Sequence, residues 1–128
     1  MSNSRTVDSL VRSLGFGRII AGGAAWAAPE AAWQQFGLPT AASSPEAQLL
    51  GRLFGSRDLM LGLALLVAKT PASRRQILRA GIVVDGLDLA AALLAKESLS
   101  PKGMASIAGG AASAIGVALL AEVTSANT

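Results

Sequence analysis

Residues 103–121 read GMASIAGGAASAIGVALLA, a run with no charged residue between Lys102 and Glu122. A membrane-spanning helix needs about 20 mostly apolar residues, so this run has the length and composition of a span. Its many alanines and glycines are typical of membrane helices that pack closely on one another. The run therefore predicts an integral membrane protein.

Three further apolar segments precede this run, and each of them carries a few charged residues. Prolines, glycines and serines separate the segments, as they do at turns. The last two connections are short, which favours antiparallel neighbouring helices. The sequence predicts an all-α fold, a four-helix membrane bundle that forms a single domain over residues 1–128. The predicted spans are residues 9–28, 47–68, 75–95 and 103–121.

The composition of the chain points in the same direction. Hydrophobic residues make up 52% of the sequence and charged residues 15%, whereas soluble domains carry about 25% charged residues. The mean hydropathy is +0.50. The sequence has no Cys and no His, which excludes disulfides, thiol nucleophiles, histidine acid–base chemistry and zinc sites of the usual kind.

The distribution of charge predicts the partner and the orientation. The net charge is +3, but the basic residues lie near segment ends, which favours a lipid bilayer over nucleic acid as the partner. Residues 29–45 contain no Lys or Arg, so both termini are predicted on the cytoplasmic side of the inner membrane. Lys96 and Lys102 fall on the other side and count against this orientation. Trp26 and Trp33 flank the outer end of the first span, where interfacial aromatic residues are expected.

Two other interpretations compete with four spans. The first segment could be a cleaved signal peptide with a small-residue site at residues 25–27. Arg18 close to the apolar run, and Pro29 just after the site, argue against that interpretation. The chain could also be a soluble alanine-rich bundle, but the charge-free residues 103–121 argue against it.

Apart from the arginines near the span ends, Arg12, Arg75 and Arg79, six ionisable residues lie inside the predicted spans, and together these six are formally neutral. They are Arg18, Arg52, Arg57, Asp58, Asp85 and Asp88. Each costs about 2.5–3.5 kcal/mol at the centre of a span, so we expect them to face the interior and to pair. The depth of each residue follows from counting about 1.5 Å per residue along its helix from the cytoplasmic side. Four of the six residues lie at a depth of about 13–18 Å, and Arg52 and Asp88 lie deeper, at about 22–24 Å. We expect Asp58 and Asp85 to pair with Arg18 and Arg57.

Successive residues of an α-helix are rotated by about 100° around its axis. With this rotation, small residues lie on the same helix face as these charges in three of the four segments. Small residues let helix backbones approach closely, so the charges are expected at helix contacts. The fourth segment has a small-residue stripe without a charge. The stripes are Gly15, Arg18, Gly22 and Ala25; Gly51, Gly55, Asp58 and Gly62; Gly81, Asp85, Asp88 and Ala92; and Ser106, Gly110 and Ser113.

The charged cluster has a structural and a functional interpretation. It could be a salt-bridge network that fixes the order of the helices, or a polar site for a small molecule or an ion. Asp85 and Asp88 alone make a poor divalent-metal site, because no further oxygen ligands accompany them. The glycines of residues 15–23 lack the spacing of a dinucleotide-binding loop. No metal, cofactor or catalytic residue is predicted.

The motif FGLP at residues 36–39, followed by LFGSRDLMLG at residues 53–62, resembles a family of small bacterial membrane proteins. This is the domain-of-unknown-function family DUF4267, which is broadly similar to DoxX-like membrane proteins. The resemblance covers most of the chain and includes Arg18 and an aspartate of the third span, Asp85 or Asp88. It implies a four-span bundle and brings no catalytic or binding residues.

The function predicted first is that of a non-enzymatic accessory or scaffold subunit. Such a protein would pack through its small-residue faces against a membrane-protein partner or a second copy of the chain. The alternative is a small transporter or binding protein that uses the Arg/Asp cluster. An enzyme is the least favoured class, because the chain lacks His, Cys and Tyr and has no sizeable domain outside the membrane.

Overall fold

The computed structural model of the protein describes residues 2–126, which are helical except for short connections. This range contains no strand, so the predicted all-α class is confirmed. Four helices are long, two are short, and each predicted apolar segment largely coincides with one long helix. The helices are α1 (Ser2–Ala27), α2 (Pro29–Gln35), α3 (Pro39–Ala42), α4 (Pro45–Val67), α5 (Pro71–Leu94) and α6 (Pro101–Ala126).

Proline begins every helix after α1. The chain has five prolines, and each occupies the first position of a helix, where its missing N–H is not needed and its fixed φ suits the helix. Ser44 and Thr70 cap α4 and α5 by accepting hydrogen bonds from the backbone N–H groups of Ala47 and Ser73. The three prolines that predicted turns within residues 29–45 therefore begin α2, α3 and α4 instead.

Helices α1 and α4 lie in backbone contact. A methyl group added to Gly22 would lie 2.6 Å from the carbonyl oxygen of Gly55, and one added to Gly62 would lie 2.6 Å from that of Gly15. Only glycine permits so close an approach. Because Gly15 lies beside Gly62 and Gly22 beside Gly55, the two helices run antiparallel. The small-residue face of α1 thus packs against the small-residue face of α4.

The apolar core lies at the end of the molecule where α1 begins, which we call the core end. It draws on the first halves of α1 and α5 and on the last halves of α4 and α6, so successive long helices run in opposite directions. Helix α6 packs against both α1 and α5, whereas α4 and α5 make few contacts beyond their short connection. The buried core residues are Val11, Leu14, Leu65, Leu78, Ala118 and Ala121.

The far end of the molecule carries α2 and α3. Trp33 joins α2 to α4, because its indole N–H donates a hydrogen bond to the carbonyl oxygen of Ala47 at 2.8 Å. Trp33 is therefore partly buried against the protein, whereas Trp26 is exposed. Gly37 follows α2 with a φ of 75°, the left-handed conformation that favours glycine after a helix.

Large apolar side chains are exposed on the outer faces of all four long helices; Ile20, Met60, Leu94 and Val123 are examples. Among the described residues, α6 is the one helix that is long and apolar enough to cross a membrane. Helices α1, α4 and α5 contain more charged residues than α6 and do not have that composition. The three corresponding spans stay predictions.

Candidate functional site

Arg18 is the centre of a buried ionic cluster. Its side chain leaves α1 toward α4 and α5, and the residue is only 5% exposed. One terminal nitrogen, Nη1, donates a hydrogen bond to Asp58 Oδ1 at 2.6 Å. It also donates to Asp85 Oδ1 at 3.3 Å, and Nη2 donates to Asp85 Oδ2. One guanidinium group thus links three helices through charge-assisted hydrogen bonds.

Gly81 provides the space for this guanidinium group. A methyl group added to Gly81 would lie 3.0 Å from Arg18 Nη2. Gly81 precedes Asp85 by one helical turn on the same face of α5. The small-residue stripe on α5 therefore makes room for a side chain from another helix, whereas the stripes on α1 and α4 bring backbones together.

A second ion pair lies beside the first. Arg57 donates two parallel hydrogen bonds to Asp88, from Nη2 to Oδ2 at 2.7 Å and from Nη1 to Oδ1 at 3.1 Å. The guanidinium carbon of Arg57 lies 4.6 Å from the centre of the Phe54 ring, which adds a cation–π contact. Arg57 Nε is buried without a hydrogen-bond partner among the described residues. This pair links α4 directly to α5, two helices that make few contacts with each other.

The expected pairing of Arg57 with Asp58 or Asp85 is wrong, and the reason is the direction of the side chain. Side chains of an α-helix tilt toward its N-terminus. Helix α4 begins at the far end, so Arg57 extends toward the far end and meets Asp88, which lies farther along α5 than Asp85. The depths predicted from residue counts omitted the length and direction of this side chain.

Arg52 stands apart from the cluster, although its predicted depth matched that of Asp88. Its Nε donates a hydrogen bond to the carbonyl oxygen of Trp26 at 3.3 Å. That carbonyl belongs to the last turn of α1, where backbone acceptors have no partner within the helix. The cluster therefore holds three carboxylates and two guanidinium groups, and it carries one formal negative charge instead of being neutral. Its members are Arg18, Arg57, Asp58, Asp85 and Asp88.

A cavity of about 590 Å³ adjoins the cluster and lies between the four long helices. Four cluster members line it, and Arg57 is the one that does not. Most of the remaining wall is apolar or made of small residues from α5 and α6, and three aromatic side chains contribute at the far end. The aromatic residues are Trp33, Phe36 and Phe54. Such a volume and such a wall are typical of small-molecule sites.

The sequence profile of one family, the domain of unknown function DUF4267, matches residues 15–124. The chain belongs to this family. Neither curated proteins nor solved structures gave a match. The family resemblance predicted from residues 36–39 and 53–62 is thereby confirmed, while the similarity to DoxX-like proteins stays a prediction. The DUF4267 match includes every member of the ionic cluster and nearly all of the cavity wall.

Sequence reasoning missed the cavity of this DUF4267 chain. The stripe of Ser106, Gly110 and Ser113 on α6 indicated close packing, yet all three line the cavity. A methyl group added to Gly110 would meet no atom within 4 Å. Helix α2 was also not predicted, so the contribution of Trp33 to the wall could not be foreseen.

The carboxylates of this DUF4267 cluster face arginines. Both oxygens of Asp85 accept hydrogen bonds from Arg18, and both oxygens of Asp88 accept from Arg57. Within residues 2–126 there is no group of three or more acidic, His or Cys side chains suited to a metal ion. What the arrangement can do chemically is bind a molecule that has an apolar body and one polar end.

Proposed function

We propose that the chain is a multi-pass protein of the inner membrane that binds one small amphiphilic molecule between its helices. It has four spans, α1, α4, α5 and α6, with both termini in the cytoplasm. The observation that carries the proposal is the cavity of about 590 Å³ with an apolar wall and a buried ionic cluster at one side. The apolar part of the ligand occupies the cavity, and its polar end lies beside the cluster.

The exterior of the molecule supports the membrane part of the proposal. Contiguous exposed apolar surface on a soluble protein is rare, yet large apolar side chains are exposed on each of the four long helices. Five of the thirteen ionisable side chains of α1, α4 and α5 pair with one another in the ionic cluster between the helices. The outer surface is therefore more apolar than the sequence average of those helices.

The cavity favours binding over a purely structural role for the cluster. A salt-bridge network that fixes helix order needs no adjoining space, whereas this cluster borders a cavity of about 590 Å³. A scaffold would need free small-residue faces, but those of α1 and α4 contact each other. Catalysis is not proposed, because the chain offers no His, Cys or Tyr to act as acid, base or nucleophile.

Purification in lipid nanodiscs, followed by mass spectrometry of the small molecules retained, tests the proposal. Gly110→Phe places a large side chain in the cavity, where an added methyl group meets nothing within 4 Å. Gly109→Phe is the matched control, because Gly109 is equally unobstructed and does not line the cavity. We expect a molecule that is retained by the native chain and by Gly109→Phe and depleted at least tenfold in Gly110→Phe. The same molecules in equal amounts in both variants would refute the proposed site.

A further inference from the structure

We infer that the molecule bound in this cavity is a lipophilic monovalent cation whose charged group lies beside Asp58. The inference rests on the proposed function above, and it adds the chemical class of the ligand and the atom that recognises it. Three observations carry it: the charge balance of the cluster, a carboxylate oxygen that no donor within residues 2–126 contacts, and the composition of the cavity wall.

The charge balance leaves one negative charge inside the molecule. Two guanidinium groups face three carboxylates, and α6 adds no charged side chain to the cavity wall. An unbalanced charge in a low-dielectric interior is strongly unfavourable. A bound cation would remove the imbalance, whereas a bound anion would double it.

Asp58 is the carboxylate with an unused oxygen. Asp85 and Asp88 each accept hydrogen bonds at both oxygens. Asp58 accepts one at Oδ1 from Arg18, and its Oδ2 has no donor among the described residues. Asp58 is only 8% exposed and lines the cavity. Its Oδ2 is thus an acceptor that a cationic group entering the cavity can reach.

The wall around this oxygen suits a cation with apolar substituents. Arg18 is already paired with two carboxylates, and Arg57 does not line the cavity, so the wall offers an anion neutral hydroxyl donors but no uncompensated positive charge. The aromatic rings of Trp33, Phe36 and Phe54 belong to the wall, and aromatic faces attract cations. The small apolar residues of α5 and α6 leave space for bulky substituents.

A pair of ions of nearly equal shape and opposite charge tests the inference. Binding of tetraphenylphosphonium and of tetraphenylborate to the chain in nanodiscs is measured by equilibrium dialysis, with protein-free nanodiscs subtracted. We expect saturable binding of the phosphonium at least tenfold tighter than that of the borate. Asp58→Asn should weaken phosphonium binding at least tenfold. Asp8→Asn should not, because Asp8 pairs with Arg74 at 2.5 Å and does not line this cavity.

A second variant tests the charge without removing Asp58. Ser113 lines the cavity on α6, so Ser113→Lys supplies a cation from the chain itself. Ser113→Lys should abolish phosphonium binding. Ser113→Gln introduces a neutral side chain of comparable length, and it should weaken phosphonium binding less than Ser113→Lys does.

The outcomes separate the inference from the function on which it rests. Borate binding equal to or tighter than phosphonium binding would overturn the cationic class. If Gly110→Phe then removed the borate binding, the cavity would still be a binding site, as the proposed function states. Binding of neither ion would also overturn the inference, and the retained molecules in nanodiscs would then decide separately about the cavity.

Discussion

The ionic cluster makes an asymmetric prediction about stability, because one arginine serves two carboxylates. In Arg18→Gln, the hydrogen bonds of Asp58 and Asp85 to the guanidinium are lost together. Two buried carboxylates then remain without a cation. In Asp85→Asn, by contrast, Arg18 keeps its partner Asp58 and the formal charge of the cluster falls to zero. The arginine variant should therefore be much the less stable of the two.

The magnitude follows from the burial of the three side chains. The side chains of Arg18, Asp58 and Asp85 are 5%, 11% and 6% exposed. Breaking a buried ion pair by removing one partner costs about 3–5 kcal/mol. Arg18→Gln should reach at least this range, which lowers the melting temperature by on the order of 10 °C. Asp85→Asn should cost about 1–2 kcal/mol, since the lost partner leaves no unpaired charge.

Thermal unfolding in a mild detergent, followed by tryptophan fluorescence, measures both losses. The triple variant Arg18→Gln, Asp58→Asn, Asp85→Asn should regain most of the stability that Arg18→Gln alone loses, because no charge is then left unpaired. Equal losses in Arg18→Gln and Asp85→Asn, or strictly additive losses in the triple variant, would refute the shared role of Arg18.

Three further predictions concern the orientation, the helix contact and the isolated arginine. With no native Cys, a membrane-impermeant thiol reagent applied outside the cell should label Ser43→Cys and spare Ala72→Cys; the reverse pattern would reject cytoplasmic termini. Gly55→Ala should destabilise the chain by about 1–3 kcal/mol in detergent, because the added methyl group would lie 2.5 Å from a backbone oxygen of α1, whereas Gly116→Ala should be neutral or stabilising; similar melting temperatures for the two variants would contradict this packing. Arg52→Gln should cost under about 1 kcal/mol, and a loss as large as that of Arg18→Gln would place Arg52 back in the cluster.

The helices were largely predictable from the sequence, and the short ones were not. Apolar runs of about 20 residues, separated by Pro and Gly, are a strong signal for long helices. Helices α2 and α3 have 7 and 4 residues, too few to show a period. Pro29 and Pro39 indicate a turn and a helix start equally well, so the sequence alone could not separate these possibilities.

The members of the ionic cluster were predictable as a set because burial of a charge in a span is costly. Their partners were only partly predictable. Arg18 lies between Asp58 and Asp85, which were expected at its depth. The partner of Arg57 depends on the reach of a long side chain and on the direction of α4. Arg52 left the set because the end of α1 offers it a backbone carbonyl, a local detail that helical periodicity does not contain.

The cavity could not be predicted, because glycine has opposite consequences in different places. An added methyl group would lie 2.5 Å from backbone at Gly55 and would meet nothing within 4 Å at Gly110. Both glycines lie in small-residue stripes, yet one marks a contact between backbones and the other an unfilled space. Which outcome occurs depends on how closely the facing helix approaches, and that distance is set by the whole arrangement of helices.

The interior is divided between a packed core and a cavity, and the ionic cluster lies between them. Apolar side chains such as Val11, Leu65 and Leu78 fill the core end, where burial of apolar surface stabilises the fold. Toward the far end, the pair of Arg57 and Asp88 links α4 to α5, two helices that make few contacts with each other. A ligand that enters the cavity therefore need not disrupt the packed core. For this reason we expect substitutions in the cavity wall to change binding more than they change folding.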